Sequence, residues 1–282
     1  MCRVAEQVTV ISDFRQGDVS KNSRGLYCGA DEAAVKYVYN SVLKELQEQF
    51  MGMESVCGSL VKRREVVREA KSSLPSNASE EDTVFLVDWD DTVMPTTFLG
   101  DEESRHGFLS LSSYARFTFL ELDKLVVSVL KKALSQGRVV FVTNAGEGWV
   151  QISAARYMPM VSALIEEANI KVVSARSAYY ETYPEAPLEW KVHAFYDELQ
   201  EIQMRSRKVN LVVVGDSLSD QYAAHSVTTR LNEESDLSVT LKFVKLIDRP
   251  NLEQLKKQMS LVLLNLDRLV KYKSAFDICV ST

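Results

Sequence analysis

Four short, nearly continuous apolar runs punctuate the chain: Val84–Val87, Val139–Val142, Ile170–Val173 and Leu211–Val214. Runs this short, rich in β-branched residues and apolar on both faces, fit buried strands of a parallel sheet covered by helices on each side. Between them the pattern loosens to helical spacing over about 113–135, ended by Gly137, over about 147–167, with Pro159 inside, and over about 188–206. A helix near 219–230, a strand over 239–247 and a long helix from Pro250 to about 271 come next. Such regular alternation predicts an α/β fold, a doubly wound parallel sheet with helices on both faces.

Upstream the pattern differs. Residues 1–30 mix charges, Gly and Ser around one apolar run, Val8–Ile11, which reads as a lone strand or a loose arm. Val35, Val38, Tyr39, Val42, Leu43, Leu46 and Phe50 then recur at i, i+3, i+4, i+7, a helical face with Asp31 as its N-cap and Gly52 or Gly58 as a break. The mixed-sign charges from Lys62 to Lys71 read as a solvated helix face. Residues 72–82 are small and polar and carry Pro75, the composition of a linker. The chain thus divides into an N-terminal arm (1–30), a helical extension with linker (31–80) and a main domain (81–282). The apolar faces within 31–71 must be covered; packing on the main domain is expected, with a homodimer interface as the alternative.

Composition narrows the functional classes. Of 282 residues, 46% are hydrophobic and 26% charged, enough to bury a large core. Lys and Arg number 33 against 39 Asp and Glu, so the net charge of −6 gives no global attraction for nucleic acid or anionic membrane. Cys2, Cys28, Cys57 and Cys279 form no CxxC pair and have no neighbouring His, which argues for a reducing, cytoplasmic setting rather than zinc or disulfides. Glu6, Asp13, Arg15 and Asp18 interrupt the start of the chain, so no secretion signal is read there. No run approaches the roughly 18 apolar residues of a membrane span. The sequon Asn77-Ala78-Ser79 and the position of Cys279 fourth from the end read as chance matches.

In an open parallel sheet, ligands sit beyond the carboxyl ends of the strands. The polar residues just after each apolar run are therefore informative: Asp88-Trp89-Asp90-Asp91-Thr92, Thr143-Asn144, and Gly215-Asp216-Ser217-Leu218-Ser219-Asp220. Carboxylates brought together from such distant segments repel one another, and a bound cation is the simplest remedy. An oxygen-only donor set favours Mg²⁺ over zinc. Lys191, at a helix start, adds one compact positive charge. Asp91 reads as the start of a turn and Trp89 as a packing residue. Asp220 reads as support for the metal, with a helix cap as the alternative. His106, His193 and His225 lack metal-ligand spacing.

Taken in order, these segments resemble the four motifs of the haloacid dehalogenase-like (HAD) hydrolase superfamily. An apolar strand ending in D-x-D-x-T is met by Val84–Thr92, one ending in Thr by Val139–Thr143, the lysine by Lys191, and G-D-x-x-x-D by Gly215, Asp216 and Asp220. The resemblance covers roughly residues 83–250 and implies a Rossmann-like sheet. It implies Asp88 as nucleophile and Asp90 as general acid and base, with Thr143, Asn144 and Lys191 binding the phosphoryl group. Asp216, Asp88 and the main-chain carbonyl of Asp90 would hold Mg²⁺, with Asp220 supporting it directly or through water. The carboxylate at Asp90 favours phosphoryl transfer over dehalogenation. The gaps Thr92–Gly137 and Asn144–Trp190 leave no room for a separate cap domain, which resembles the capless branch, whose members often act on macromolecules. Two loops, Met94–Ser110 and Ser174–Pro187 with Arg176, Tyr179, Tyr180 and Tyr183, would shape the entrance. The expected function is a Mg²⁺-dependent phosphatase working through an aspartyl-phosphate on a phosphorylated small molecule or macromolecule, with no membrane partner. A catalytically idle binding or regulatory module and a phosphotransferase are the alternatives. The pattern Trp-Asp-Asp-Thr-x-x-Pro-Thr and Trp149 mark a subgroup without indicating its substrate.

Overall fold

The computed structural model describes residues 8–11, 81–106, 112–203 and 206–280, all within one compact unit. The helices expected over 31–71 lie outside the described residues, as does the linker expected over 72–82 except for its last two residues, of which Asp82 begins β2. In chain order the elements are β1 (Val8–Ile11), β2 (Asp82–Val87), α1 (Thr96–His106), α2 (Ser113–Leu134), β3 (Arg138–Thr143), α3 (Trp149–Tyr157), α4 (Pro159–Glu167), β4 (Lys171–Ser174), α5 (Ala175–Tyr179), α6 (Pro187–Gln203), β5 (Lys208–Gly215), α7 (Leu218–Glu234), β6 (Ser238–Lys245), α8 (Leu252–Lys271) and β7 (Phe276–Val280).

The strands form one sheet in the order β1-β7-β6-β5-β2-β3-β4. β2 to β7 are parallel, and β1 adds an antiparallel edge, with Val8 opposite Val280. From β2 the chain winds outward through β3 and β4, then returns to the other side of β2 and winds through β5, β6 and β7. The fold is therefore α/β, doubly wound and Rossmann-like, with its direction of winding reversing at β2. That reversal opens a crevice at the carboxyl end of β2, flanked by the ends of β3 and β5.

Alternation along the central strands divides the core. Val84 and Leu86 of β2, Val140 and Val142 of β3, and Leu211 and Val213 of β5 pack with Trp190, Phe195 and Leu199 of α6 and Ala223, Ala224 and Val227 of α7. The intervening residues, such as Phe85, Phe141 and Val212, are equally buried on the opposite face. A strand covered on both sides has no polar position to spare, hence its continuous apolar run.

Several elements differ from the sequence expectation. The helical stretch expected over 147–167, as one helix or a pair, is a pair, because Pro159 lacks the N–H needed to continue α3 and instead occupies the first turn of α4. The N-terminus of α4 is satisfied by a distant residue: buried Asp123 of α2 accepts from the main-chain N–H of Met160 and of Val161, each at 2.9 Å. The expected loop Met94–Ser110 contains α1, and Ser174–Pro187 contains the short α5. β7 was not expected, and Val8–Ile11 forms an edge strand upon it.

Candidate functional site

The site forms where β2, β3 and β5 end. Pairing between β2 and β5 continues one residue past the strand, with Asp88 N–H donating to Val214 O at 3.0 Å, so Asp88 stands beside the end of β5. The chain then turns tightly: Val93 and Met94 both donate to Trp89 O at 2.9 Å. Asp91 occupies the left-handed region at φ 54°. Its carboxylate accepts from Thr97 N at 2.9 Å and Thr97 Oγ1 at 2.5 Å, which caps the start of α1. Burial raises the Asp91 carboxyl to about 6, against the lowering effect of the Thr97 bonds. Its part is the turn, as its sequence position suggested.

Lys191, buried on α6, bridges two carboxylates. Its Nζ lies 2.7 Å from Asp88 Oδ1 and 2.5 Å from Asp220 Oδ1. Burial alone lowers the lysine's proton affinity, but the charges of Asp220 and Asp88 outweigh it, and Lys191 is held above the usual range. Asp220 uses its other oxygen locally: Oδ2 accepts from Ser217 N at 3.1 Å and Ser217 Oγ at 2.6 Å, a capping box at the start of α7. The helix-cap reading of Asp220 is thus met by one oxygen, and the other serves Lys191. Gly215 makes room for it, since a Cβ there would lie 2.5 Å from the Asp220 carboxylate.

Asp88, Asp216 and Asp220 are all buried, and one ligand oxygen from each lies within 4.8 Å of the others. Thr92 Oγ1 donates to Asp216 Oδ1 at 3.3 Å. Burial, then the neighbouring charge of Asp220, raises Asp88 to about 8, despite Lys191. Burial, then the charge of Asp88, raises Asp216 to about 9. Crowding of this kind disfavours the ionised carboxylates, and a divalent cation bound among them would restore their charge. The donor atoms are all oxygens, which suits a hard ion such as Mg²⁺. Asp88 and Asp216 are the direct candidates to hold it, because the carboxylate of each accepts from one donor, whereas that of Asp220 already accepts from three, Lys191 Nζ and the N and Oγ of Ser217.

Asp90, two residues from Asp88, has a different environment. Its Oδ1 accepts from Thr96 Oγ1 at 2.7 Å and from the indole Nε1 of Trp149 at 2.8 Å, and its Oδ2 accepts from Thr143 Oγ1 at 2.9 Å. Thr143 in turn accepts from Ala145 N at 2.9 Å. The hydroxyl proton of Thr143 can serve one acceptor at a time, so contact with a phosphoryl group would require release of Asp90. Asn144 is half-buried, and its Oδ1 is enclosed without a hydrogen-bond partner. Being an acceptor, that oxygen would repel a phosphate, and only the amide nitrogen suits the expected role.

Sequence reasoning missed three contributors. Thr96 and Trp149 both touch Asp90, and their only signal was the pattern ending in Thr96 and the isolated Trp149. Lys245, at the end of β6, donates to the main-chain oxygen of Asp216 and to Leu246 O, the latter at 2.8 Å, which ties the β5–α7 turn to the neighbouring strand. Trp89 packs as expected, fully buried with its ring edge-on to Phe141 at 5.2 Å. His193 stacks on Tyr183 at 4.4 Å, and His225 pairs with Asp277 at 2.7 Å. Among the described residues, no helix is long and apolar enough to cross a membrane. Comparison of the chain with protein-family models, with curated proteins and with solved structures finds no match.

Proposed function

We propose that the chain is a Mg²⁺-dependent phosphatase of the HAD-like kind, which transfers the phosphoryl group of a phosphate monoester to Asp88 and then to water. The observation that carries this reading is the contrast between two carboxylates on one turn. Asp88 sits in the anionic cluster with Lys191 at 2.7 Å, whereas Asp90 is held by three neutral donors. Two carboxylates in unlike surroundings can take unlike roles.

In this reading Asp88 attacks phosphorus through Oδ2, and Oδ1, beside Lys191, would be the oxygen it offers to the cation. Lys191 fixes the nucleophile and offsets charge on the transferring group. Asp90 protonates the leaving oxygen and then takes a proton from the attacking water. Mg²⁺ held by Asp88 and Asp216 would supply charge neutralisation at the phosphoryl oxygens.

The test is chemical trapping of the intermediate. Rapid acid quench during turnover of p-nitrophenyl phosphate should give a phosphorylated intact mass for Asp90→Asn and none for Asp88→Asn. Hydrolysis by Asp90→Asn should be slowed about 10²–10⁴-fold. Phosphate on neither variant, or turnover retained in Asp88→Asn, defeats the reading.

A further inference from the structure

We infer that Trp149 is a positioning residue for proton transfer, and that with Thr96 it restricts the exchange to a single oxygen of Asp90; the inference rests on the phosphatase reading above. An ionised carboxylate offers about four acceptor positions, two on each oxygen. Oδ1 of Asp90 has both filled, by Thr96 Oγ1 at 2.7 Å and Trp149 Nε1 at 2.8 Å. Oδ2 has one filled, by Thr143 at 2.9 Å. The remaining position lies on Oδ2, beside the residue expected to meet the phosphoryl group.

The placement of Trp149 is itself fixed by a return contact. Trp89, the residue before Asp90, donates through its indole Nε1 to Ser153 Oγ at 3.0 Å, and Ser153 Oγ donates to the main-chain oxygen of Trp149 at 2.7 Å. Each segment therefore lends one indole to the other: Trp89 reaches α3, and Trp149 reaches back to Asp90. Gly148, at φ 85°, supplies the left-handed turn from which α3 starts with Trp149 as its first residue. Trp149 is buried, so its N–H is not shared with bulk water.

The chemical consequence is a fixed direction for the proton. As the P–O bond to the leaving group breaks, Oδ2 of protonated Asp90 gives its proton to the departing oxygen. In the second step, water gives a proton to Oδ2 as its oxygen bonds to phosphorus and the bond from phosphorus to Asp88 breaks. Asp90 is thereby returned to its starting form. Without the donors on Oδ1, the carboxylate can turn and present the wrong oxygen, and a small misplacement of this kind is costly in rate.

The discriminating measurement is kcat/KM, which ends at formation of the phosphoenzyme, on two substrates with the same preparation of full-length protein. p-Nitrophenyl phosphate has a leaving group that needs no proton, whereas a simple alkyl phosphate needs one. For Trp149→Phe and for Thr96→Val, the ratio of the first to the second should rise roughly 10- to 100-fold. Thr96→Ser, which restores a hydroxyl, should bring the ratio back towards the wild-type value. Partial misfolding lowers both rates alike and leaves the ratio unchanged, and Thr96→Val carries the same test if Trp149→Phe does not fold. An unchanged ratio in both donor-removing variants, with phosphate trapped on Asp90→Asn and not on Asp88→Asn, overturns the positioning role alone. Phosphate trapped on neither Asp90→Asn nor Asp88→Asn overturns the phosphatase reading and this role with it.

Discussion

Asp220 meets Lys191 at 2.5 Å with one carboxylate oxygen and closes the capping box of α7 with the other. One side chain thus joins the start of a helix to the lysine that holds Asp88. Local helix chemistry and the geometry of the site are coupled here, so each can be disturbed through the other.

Asp220→Ala should therefore destabilise the protein by roughly 1–3 kcal/mol, the cost of losing the cap and leaving donors unpaired, since Lys191 keeps Asp88 as a partner. Asp220→Asn keeps an acceptor for Ser217 and should cost less. Urea denaturation of both variants checks the order. Equal losses would mean that the charge on Lys191 is met without Asp220.

Gly215→Ala places a Cβ 2.5 Å from the same carboxylate. The expected loss is about 1–3 kcal/mol, typical of overpacking, with turnover reduced as Asp220 is pushed from Lys191. Denaturation midpoints and phosphatase assays on the purified variant measure both effects. Wild-type stability would show that the turn relaxes freely.

Asp88 and Asp216 give a pH dependence of definite sign. Their folded values of about 8 and about 9 lie above the ordinary 3.8, so the native state binds these protons more tightly than the unfolded chain. Their contribution to stability is full below the ordinary value and is lost as pH rises through the folded values. Without divalent metal, Tm should fall as pH rises towards 9, and added Mg²⁺ should stabilise more at high pH than at low. Differential scanning calorimetry with chelator and with Mg²⁺ tests this. A Mg²⁺ effect independent of pH, or one unchanged in Asp216→Asn, contradicts the assignment of these two residues to the metal.

Asp123 makes a prediction remote from the chemistry. Asp123→Ala removes both acceptors from the first turn of α4 and leaves the buried N–H of Val161 unpaired, at a cost of roughly 1–3 kcal/mol. Amide exchange at Met160 and Val161 should quicken. If those two amides keep wild-type protection, the contact from α2 is not what orders the turn.

The central elements were legible because their sequences answer to one demand. β2, β3 and β5 are covered on both faces, and burial of every side chain produces the continuous apolar runs. The motif residues were legible as the polar side chains that end each run at the carboxyl edge. α1 was not, since Thr96–His106 has no apolar stripe and its start is set by Asp91 gripping Thr97. β7 is five residues long and half-buried over most of its length, so its pattern is faint. The bond from Trp149 to Asp90 spans 59 residues, and no local rule connects an indole to a carboxylate at that distance. Asp123 capping α4 was hidden for the same reason. Tertiary partners of polar groups are written in space, not in spacing.

The edge strand has a kinetic consequence. β1 pairs with β7, so Val8 must wait for Val280, whereas β2, β3 and β5 recruit neighbours from much nearer in the chain. Closing the longest loop carries the largest entropic toll and returns only a four-residue ladder. By loop length alone, β1 is therefore the strand expected to dock last. Until then β7 offers an open ladder of N–H and C=O groups, the kind of edge on which another strand can add. Val8–Ile11 thus covers that edge from within its own chain and leaves a shorter one, four residues long, in its place.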